Sequence, residues 1–400
     1  MTDLDSADAA LRLFTPEVAD SPHATYRQLR EQCPVAKADF GGHDVVMLSR
    51  YEDVLWALRH PEAFTNDTGL GLGDQPLLPL EVDPPVHTGY RRILNPQFVP
   101  REIEKLAPDV REQVGGLIEG FVERGSCDFH EEFATPLPSS IFLALMGLPR
   151  EDLPMFFQWR DNTIRPDVEP GDNEGAARIR EETAHAVSDY FRERIAERRA
   201  DPDDTLLSKI VHATIDGRPL EEAELLGISH LLLLGGLDTV TATLDCMVEY
   251  LATHPEQRQR LVDDPALIPA AIEELLRWLT PVMVVPRAAA QDLTLHDVEI
   301  RKGDGVTLVL GAANDDEAEF AADVVDFDRE PNKHLAFGGG HHLCLGAHLA
   351  RMELRIALEE LHARIPDYRL ADGAEVHFST GIRQAHSLPL VWDPTPGLTR

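Results

Sequence analysis

The stretch that decides the fold is Phe337-Gly338-Gly339-Gly340-His341-His342-Leu343-Cys344-Leu345-Gly346-Ala347-His348-Leu349-Ala350-Arg351. Three consecutive glycines make a poor helix or strand, because glycine loses more backbone freedom on ordering than any other residue. They predict a tight loop with unusual dihedral angles or a close approach to a flat group. Apolar residues then recur with helical period from Leu345 to Ile356. Cys344 is therefore expected near a helix N-terminus, where the dipole stabilises a thiolate by about 0.3–1 kcal/mol.

Three interpretations of Cys344 are open on these residues. A buried cysteine in a turn leaves the glycines unexplained. A zinc site built from His342, Cys344 and His348 is disfavoured, because the sequence has no second Cys/His pair at the spacing of structural zinc sites. The third interpretation is an axial thiolate ligand to haem iron, with the glycine loop lying against the porphyrin.

Position by position, this stretch resembles the haem-binding signature of the cytochromes P-450, Phe-Gly-x-Gly-x-His-x-Cys-x-Gly-x-x-Leu-Ala-Arg. The resemblance implies a b-type haem, iron protoporphyrin IX, with Cys344 as the axial ligand of the iron. It places Phe337, Gly338 and His342 at the cofactor. It also implies a mainly α cytochrome P-450 fold, in which a large helical region and small β-sheets surround a buried haem.

A second motif lies inside a long helix predicted over Glu221–Thr253, at Gly235-Gly236-Leu237-Asp238-Thr239. Each mid-helix glycine costs about 1 kcal/mol relative to alanine. Asp238 shares an apolar helix face with Leu231 and Leu234, where a buried unpaired charge costs several kcal/mol. Either the helix is rotated so that Asp238 meets solvent, or this turn is a functional site. The motif resembles the oxygen-binding groove of the family, which implies that the glycines make room for dioxygen and that Asp238 and Thr239 relay protons.

Basic residues at two further places are similar to the family's ligands for the haem propionates. His87 and Arg91 are four residues apart, at the start of a helix predicted after Asp83-Pro84-Pro85. Arg287 ends the apolar segment Pro281–Arg287. An arginine side chain suits a carboxylate because its planar guanidinium donates two hydrogen bonds at once. Without the resemblance, all three residues would be interpreted as ordinary solvated groups.

Glu274 and Arg277 are three residues apart on a predicted helix, a spacing that is usually solvated and worth about 0.3–0.5 kcal/mol. They match the family's Glu-x-x-Arg pattern. Arg329, in Val325-Asp326-Phe327-Asp328-Arg329, supplies the third member of the triad that the family uses to fix the loop behind the haem. Val325 stands where phenylalanine is more usual in the family.

The substrate pocket is expected from the long helix, the Pro281–Arg287 segment and a loop over Thr65–Pro85. This loop has no regular period, and its leucines Leu70, Leu72, Leu77, Leu78 and Leu80 predict an apolar lid. Thr163–Asp167 and Leu388–Trp392 resemble the camphor-hydroxylase branch, but the lid has no aromatic residue between Phe64 and His87. The predicted apolar walls are Leu231, Leu234, Gly235, Val282, Val285 and Ile382.

Periodicity predicts a helix-rich chain with small sheets near both ends. The predicted helices are Ala24–Gln32, Glu52–Arg59, Glu102–Glu123, Leu137–Met146, Glu151–Thr163, Glu174–Arg199, Thr205–His212 and Ile268–Leu279. The predicted strands are Val45–Leu48, Val298–Ile300, Val306–Leu310, Val376–Ser379 and Leu388–Val391.

Composition limits the partners and the compartment. The chain has 400 residues, 43% of them hydrophobic, and no Gly/Ser-rich linker, which predicts a single domain over 1–400. A net charge of −33 disfavours binding to nucleic acid. Four cysteines without a disulfide-like framework fit a reducing cytoplasm. Because the start of the chain has no signal-like run, and the apolar run at Leu231–Leu237 is short, we expect no membrane partner.

Together the motifs predict a monooxygenase that uses O2 to hydroxylate a small apolar substrate, with a terpenoid as the best match. Because no flavin or iron–sulfur segment is recognisable, we expect electrons from an iron–sulfur ferredoxin and an NAD(P)H-dependent ferredoxin reductase. A local basic patch of Arg92, Arg101, Lys105 and Arg351 is a candidate docking site for the ferredoxin. The alternatives are a peroxide-driven or coupling haem-thiolate enzyme, which the Asp238-Thr239 pair argues against, and a non-catalytic haem-binding sensor.

Overall fold

Most of the regular structure is helical in the computed structural model, which describes residues 10–40, 43–69, 76–164, 166–169, 172–320 and 324–394. The helices are α1 (Pro16–Asp20), α2 (His23–Gln32), α3 (Tyr51–Arg59), α4 (Val86–Leu94), α5 (Pro100–Ile103), α6 (Ala107–Glu119), α7 (Pro136–Met146), α8 (Leu153–Ile164), α9 (Asn173–Ala200), α10 (Leu206–Val211), α11 (Glu222–Leu237), α12 (Thr239–Thr253), α13 (Pro255–Asp263), α14 (Ile268–Leu279), α15 (Leu310–Asn314) and α16 (Ala347–Arg364).

The strands are short and form small sheets. They are β1 (Val35–Phe40), β2 (His43–Leu48), β3 (Phe64–Thr65), β4 (Ser126–Asp128), β5 (Thr214–Ile215), β6 (Arg218–Pro219), β7 (Val285–Ala289), β8 (Leu293–Leu295), β9 (Val298–Ile300), β10 (Gly305–Leu308), β11 (Tyr368–Leu370) and β12 (Pro389–Trp392). The largest sheet has the order β1-β2-β10-β7-β3, in which β10 runs parallel to β2 and antiparallel to β7. A second sheet has the order β11-β12-β4. The expected mainly α architecture with small sheets is confirmed.

The chain divides into two compact units. The first takes its described residues from 10–65, 103–137 and 239–394, and it contains the two larger sheets together with α12 and α16. The second takes its described residues from 66–102 and 138–238, and it contains α9 and α11. The expectation of one domain over the whole chain stays a prediction.

Local sequence signals explain where several helices begin. α9 follows Asp172, whose carboxylate accepts the backbone N–H of Gly175 at 2.8 Å. α11 begins with a capping box, in which the side chains of Glu221 and Glu224 accept each other's backbone N–H groups. Both arrangements satisfy amide donors that have no partner within the first helical turn.

Three predicted elements differ from the structure. The long helix is two helices, because Asp238 interrupts it between α11 and α12. The helix predicted over Glu102–Glu123 is also divided, and α6 starts with a proline in its first turn, where no N–H is needed. The strand predicted over Val376–Ser379 is wrong: Phe378 forms an isolated bridge with Ala385, and its amide donates to the side chain of Asp20.

One helical stretch, Glu222–Thr253, has the length and apolar composition of a membrane span among the residues that the structure describes. It comprises 32 residues, and 67% of its most apolar window is buried inside the protein. The apolar region is therefore longer than the run Leu231–Leu237 that is visible in the sequence. Its burial is that of a helix in a protein core.

A buried acid lies on α16, which packs against α6, α14 and α12 within the first unit. Glu353 is 2% exposed, and one oxygen of its carboxyl group has no hydrogen-bond partner. Burial raises the pKa of Glu353 to about 8, because the charged form would lose its hydration. The folded protein therefore holds a neutral carboxyl group at neutral pH, whereas the unfolded chain ionises it above its ordinary pKa.

We predict that Glu353→Gln becomes progressively more stable than the wild type as pH rises from 5 to 8. The pKa of Glu353 is higher in the folded state than in the unfolded chain. Its contribution to the free energy of unfolding is therefore fully present below the unfolded pKa and is lost as pH rises through the folded pKa. The loss is roughly 1.4 kcal/mol per pH unit across this window. Urea unfolding of both proteins at several pH values measures it. Glu112→Gln, on the exposed side of α6, controls for the loss of one acid. A stability difference that does not change with pH would contradict the buried-acid account.

Candidate active site

The loop around Cys344 has the geometry that its glycines predict. Gly338 and Gly340 have φ values of +70° and +65°, which side-chain-bearing residues rarely adopt. A Cβ atom on Gly340 would lie 2.2 Å from the carbonyl oxygen of Leu58, so the loop also approaches α3 closely. The amide of Cys344 donates a hydrogen bond of 2.9 Å to the carbonyl oxygen of Phe337. The loop therefore closes on itself between Phe337 and Cys344.

Cys344 differs from the other cysteines in its surroundings. It is exposed and lies three residues before α16 begins, whereas Cys33, Cys127 and Cys246 are buried. Burial raises the pKa of Cys127 and of Cys246 to about 12, which keeps both as thiols. The groups of three or more potential metal ligands found among the described residues do not include Cys344.

The predicted triad is assembled, and it is buried. Glu274 accepts two hydrogen bonds from Arg277, at 2.7 and 2.9 Å, and one from Arg329 at 2.9 Å. It also accepts the side-chain amide of Asn332 at 3.0 Å and the backbone N–H of Asp326 at 2.9 Å. The side chains of Glu274 and Arg277 are 1% exposed. This network fixes the segment that leads into the cysteine loop.

The predicted pocket residues of the first unit lie on two neighbouring segments. Val282 forms an antiparallel bridge with Ile382, and the amide of Met283 donates to the carbonyl oxygen of Gly381. Val285 begins β7, and Arg287 lies in the same strand with a buried side chain. The Nη1 atom of Arg287 donates to the carbonyl oxygen of Pro286 at 2.7 Å. The structure therefore brings Val282 and Ile382 together and holds the guanidinium of Arg287 inside the unit.

In the second unit, His87 and Arg91 lie one turn apart on α4. His87 is buried and Arg91 is partly buried. Tyr90 on the same helix donates to Glu224 at 2.7 Å, which ties α4 to the start of α11. The side chains of His87 and Arg91 therefore belong to a helix that the hydrogen bond between Tyr90 and Glu224 fixes to α11.

The two glycines near the end of α11 have different surroundings. A Cβ atom on Gly236 would lie 2.9 Å from the ring of Phe142, so this glycine permits close packing against α7. A Cβ atom on Gly235 would meet no atom within 4 Å. Asp238 is fully buried, which excludes the interpretation that it meets solvent. Of the two glycines, only Gly235 borders open space.

An apolar cluster joins the described part of the predicted lid to α11. Leu77 and Ala184 are its buried members, and Leu80, Leu231 and Leu234 pack against them. The amide of Leu78 donates to the carbonyl oxygen of Gly227, which anchors this segment on the helix. Sequence reasoning missed Ala184, because one alanine in the long polar helix α9 gives no signal. Leu70 and Leu72 of the predicted lid lie outside the described residues, as does Arg165 in the segment Thr163–Asp167.

Sequence reasoning also missed two side chains next to the cysteine loop. Glu273 precedes the triad acid Glu274, and His334 lies three residues before Phe337. The double acid was a weak signal, because adjacent acids on a helix are usually solvated. In the structure Glu273 receives hydrogen bonds from His334 and from Arg351.

Comparison with known proteins decides the family. The family model described as "Cytochrome P450" matches residues 11–362. The chain belongs to the cytochrome P450 family. It is a P450 monooxygenase, an oxidoreductase with protohaem as its cofactor.

Several P450 relatives match nearly the whole chain. A steroid C26-monooxygenase of Mycobacterium tuberculosis is 35% identical over 384 residues, which cover 94% of each protein. The mycinamicin IV hydroxylase/epoxidase of Micromonospora griseorubida is 36% identical over 383 residues, covering 92% of this chain and 94% of that protein. The structure of CYP109E1 from Bacillus megaterium in complex with testosterone has a TM-score of 0.88 at 29% identity, covering 94% of this chain and 99% of that one. The predicted P450 fold is confirmed, whereas closeness to the camphor-hydroxylase branch stays a prediction.

The first unit offers donors that fit protohaem. Cys344 presents an exposed sulfur at a loop that lacks side chains at Gly338, Gly339 and Gly340. A flat cofactor can approach such a backbone closely. A soft thiolate suits haem iron, and the guanidinium of Arg287 suits a propionate.

We predict that Gly235→Ala and Gly236→Ala have different effects. Gly236→Ala forces its Cβ against Phe142, and overpacking of this kind costs about 1–3 kcal/mol. Gly235→Ala meets no atom, and its free energy of unfolding should rise by up to about 1 kcal/mol from helix propensity. Gly235→Ala should instead weaken the absorption change that substrate binding induces in the haem. Denaturation and substrate titration of both variants measure these effects. Equal destabilisation by the two substitutions would refute the distinction.

Proposed function

We propose that this P450 hydroxylates a small apolar molecule, with a terpenoid as the best match, using O2 and electrons from a ferredoxin. The observation that carries the proposal is the apolar cluster of Leu77, Leu80, Ala184, Leu231 and Leu234 in the second unit. Leu77 and Ala184 are buried in this cluster, whereas Leu80, Leu231 and Leu234 are only partly buried. Covering such exposed apolar surface with a hydrocarbon skeleton is worth roughly 25 cal/mol for each Å² removed from water. Val282, Val285 and Ile382 of the first unit stay predicted members of the substrate pocket.

The names of two relatives support a polycyclic substrate. One relative is a steroid C26-monooxygenase, and one solved P450 holds testosterone. The name of the mycinamicin IV hydroxylase/epoxidase shows that a P450 with about the same degree of identity acts on a different compound, mycinamicin IV. Substrate size is therefore the first variable to test.

We assign the haem-binding roles as follows. Cys344 is the axial ligand, and Phe337, Gly338 and His342 flank the cofactor. Arg287, His87 and Arg91 bind the propionates. The support for this assignment is that Cys344 is exposed, that its loop has positive φ values at two glycines, and that Arg287 and His87 are buried polar groups.

We assign proton delivery to Asp238 and Thr239. When bound, haem with a thiolate ligand supplies the oxygen chemistry and favours cleavage of the O–O bond. Asp238 lies buried at the break between α11 and α12, and Thr239 is the first residue of α12. The Thr239 hydroxyl would hold and transfer a proton, and the Asp238 carboxyl would replenish it. Positioned acid–base help of this kind is worth about 10²–10⁴-fold in rate.

The source of electrons and the compartment are part of the same proposal. An NAD(P)H-dependent ferredoxin reductase would reduce the ferredoxin, which would then reduce the haem. The buried thiols Cys33, Cys127 and Cys246 are compatible with a cytoplasmic protein, because free cysteines persist in a reducing compartment.

We predict that, with a ferredoxin, its reductase and an apolar polycyclic substrate, the wild type couples most NAD(P)H oxidation to a hydroxylated product. Thr239→Ala should keep substrate binding, because it removes little volume, but it should divert most NAD(P)H to hydrogen peroxide. Product formed and peroxide released per NAD(P)H oxidised measure the coupling, for a panel that runs from monoterpenes to steroids.

Thr243→Ala is the matched control. Its hydroxyl donates to the carbonyl oxygen of Thr239 at 2.7 Å, one turn further along α12, and the variant should stay coupled. Full coupling in Thr239→Ala would refute the proton relay. Hydroxylation supported by hydrogen peroxide alone, at the rate reached with ferredoxin, would favour a peroxide-driven enzyme. The absence of spectral change with every apolar compound would overturn the proposed substrate class.

A further inference from the structure

A second carboxylate network lies beside the triad, on the residue that precedes Glu274. Glu273 accepts hydrogen bonds from Nε and Nη2 of Arg351, both at 2.7 Å. It also accepts one from Nε2 of His334 at 3.1 Å. Burial alone would raise the pKa of Glu273, but the hydrogen bonds from Arg351 and His334 outweigh it and lower that pKa to about 2. Glu273 is therefore an anion at any pH at which the enzyme works.

His334 carries this network into the backbone of the cysteine loop. Its Nδ1 atom accepts the N–H of Ala336 at 3.2 Å, and its Nε2 atom lies 3.1 Å from the carboxylate of Glu273, to which it donates in the tautomer that fits both contacts. The imidazole side chain is 4% exposed. Ala336 directly precedes Phe337, so the anchor point is one residue from the loop that ends at Cys344.

Arg351 completes the network on the side-chain face of Phe337. Its guanidinium lies 4.4 Å from the centre of the Phe337 ring, within the range of a cation–π contact. The carbonyl oxygen of Phe337 accepts the amide hydrogen of Cys344 at 2.9 Å. A continuous set of contacts thus runs from Glu273 through Arg351 and Phe337 to Cys344.

We propose that Glu273, His334 and Arg351 form a clamp that fixes Phe337, and that through Phe337 it sets the donor strength of the Cys344 sulfur towards haem iron. The three are positioning residues, since they act through Phe337. Groups around a ligand tune the potential of a metal site by orienting the ligand and its hydrogen bonds. The inference rests on the proposed axial role of Cys344.

This assignment changes the interpretation of Arg351. The sequence predicts that Arg351 belongs to a basic patch for the ferredoxin, and its side chain is 35% exposed. However, Glu273 binds both donor nitrogens on one edge of its guanidinium, and the Phe337 ring covers one face. Most of its charge is thus compensated within the protein, which weakens it as a docking cation.

The test measures the haem reduction potential and the absorption maximum of the reduced carbon monoxide complex in the holoenzyme, with chemical mediators and no ferredoxin. Arg351→Gln and Glu273→Gln should shift the potential in the same direction. Arg351→Lys should shift it less, because lysine keeps the charge but loses the planar fork. Arg355→Gln is the matched control, since Arg355 lies one turn along the same helix and pairs with Glu359 instead. It should leave the potential unchanged.

A double mutant tests whether Arg351 acts on the haem potential through Phe337. In a Phe337→Leu background, Arg351→Gln should no longer shift the potential, because the contact through which it acts is gone. An undiminished shift in that background, or equal shifts from Arg351→Gln and Arg355→Gln, would overturn the clamp. An unchanged potential, with Glu273→Gln speeding reduction by ferredoxin, would assign Arg351 to docking. Loss of the thiolate band in Cys344→Ser tests the axial assignment separately, so the failure of either inference can be recognised.

Discussion

The buried carboxylate of Glu274 is the interaction on which the candidate active site depends. Arg277 and Arg329 both donate to it, and their own burial would be costly without this anion. Removing one partner of a buried ion pair typically costs about 3–5 kcal/mol, because the remaining charge has lost both water and its partner. Arg277 also donates to the carbonyl oxygen of Asn314, and the side chain of Asn314 accepts the amide of Leu335. The network therefore controls the path of the chain up to the cysteine loop.

Downstream of this network, the backbone itself sets the position of the sulfur. Positive φ values at Gly338 and Gly340 turn the chain, and the hydrogen bond between Cys344 and Phe337 closes the turn. Glu273 and Glu274, adjacent on α14, thus hold two successive parts of one segment: Glu274 binds Asp326, Arg329 and Asn332, and Glu273 binds His334. In this account a strong thiolate donor needs a rigid loop, and the rigidity comes from two acids on one helix.

Sequence alone predicts those features whose cause is local. The 3.6-residue period gives α14 to the residue, and the glycine run gives the cysteine loop. Features that depend on distant partners were missed. The path of the chain at Phe378, where the Asp20 side chain binds the backbone amide, is of this kind. The roles of Glu273 and Gly236 cannot be predicted from the sequence either. Glu273 acts through its contact with Arg351, and Gly236 allows close packing against Phe142; both partners are distant in the chain. The haem motif could be predicted because its residues are contiguous.

The central claim, that Cys344 supplies the thiolate to haem iron, is tested most directly by the absorption spectrum of the reduced protein under carbon monoxide. We expect the red-shifted band of thiolate-ligated haem in the wild type and in Cys33→Ser, because Cys33 is buried elsewhere in the first unit. Cys344→Ser should lose this band, because a serine hydroxyl does not replace a thiolate as an electron donor. A Cys344→Ser protein that binds haem and keeps the band would contradict the account.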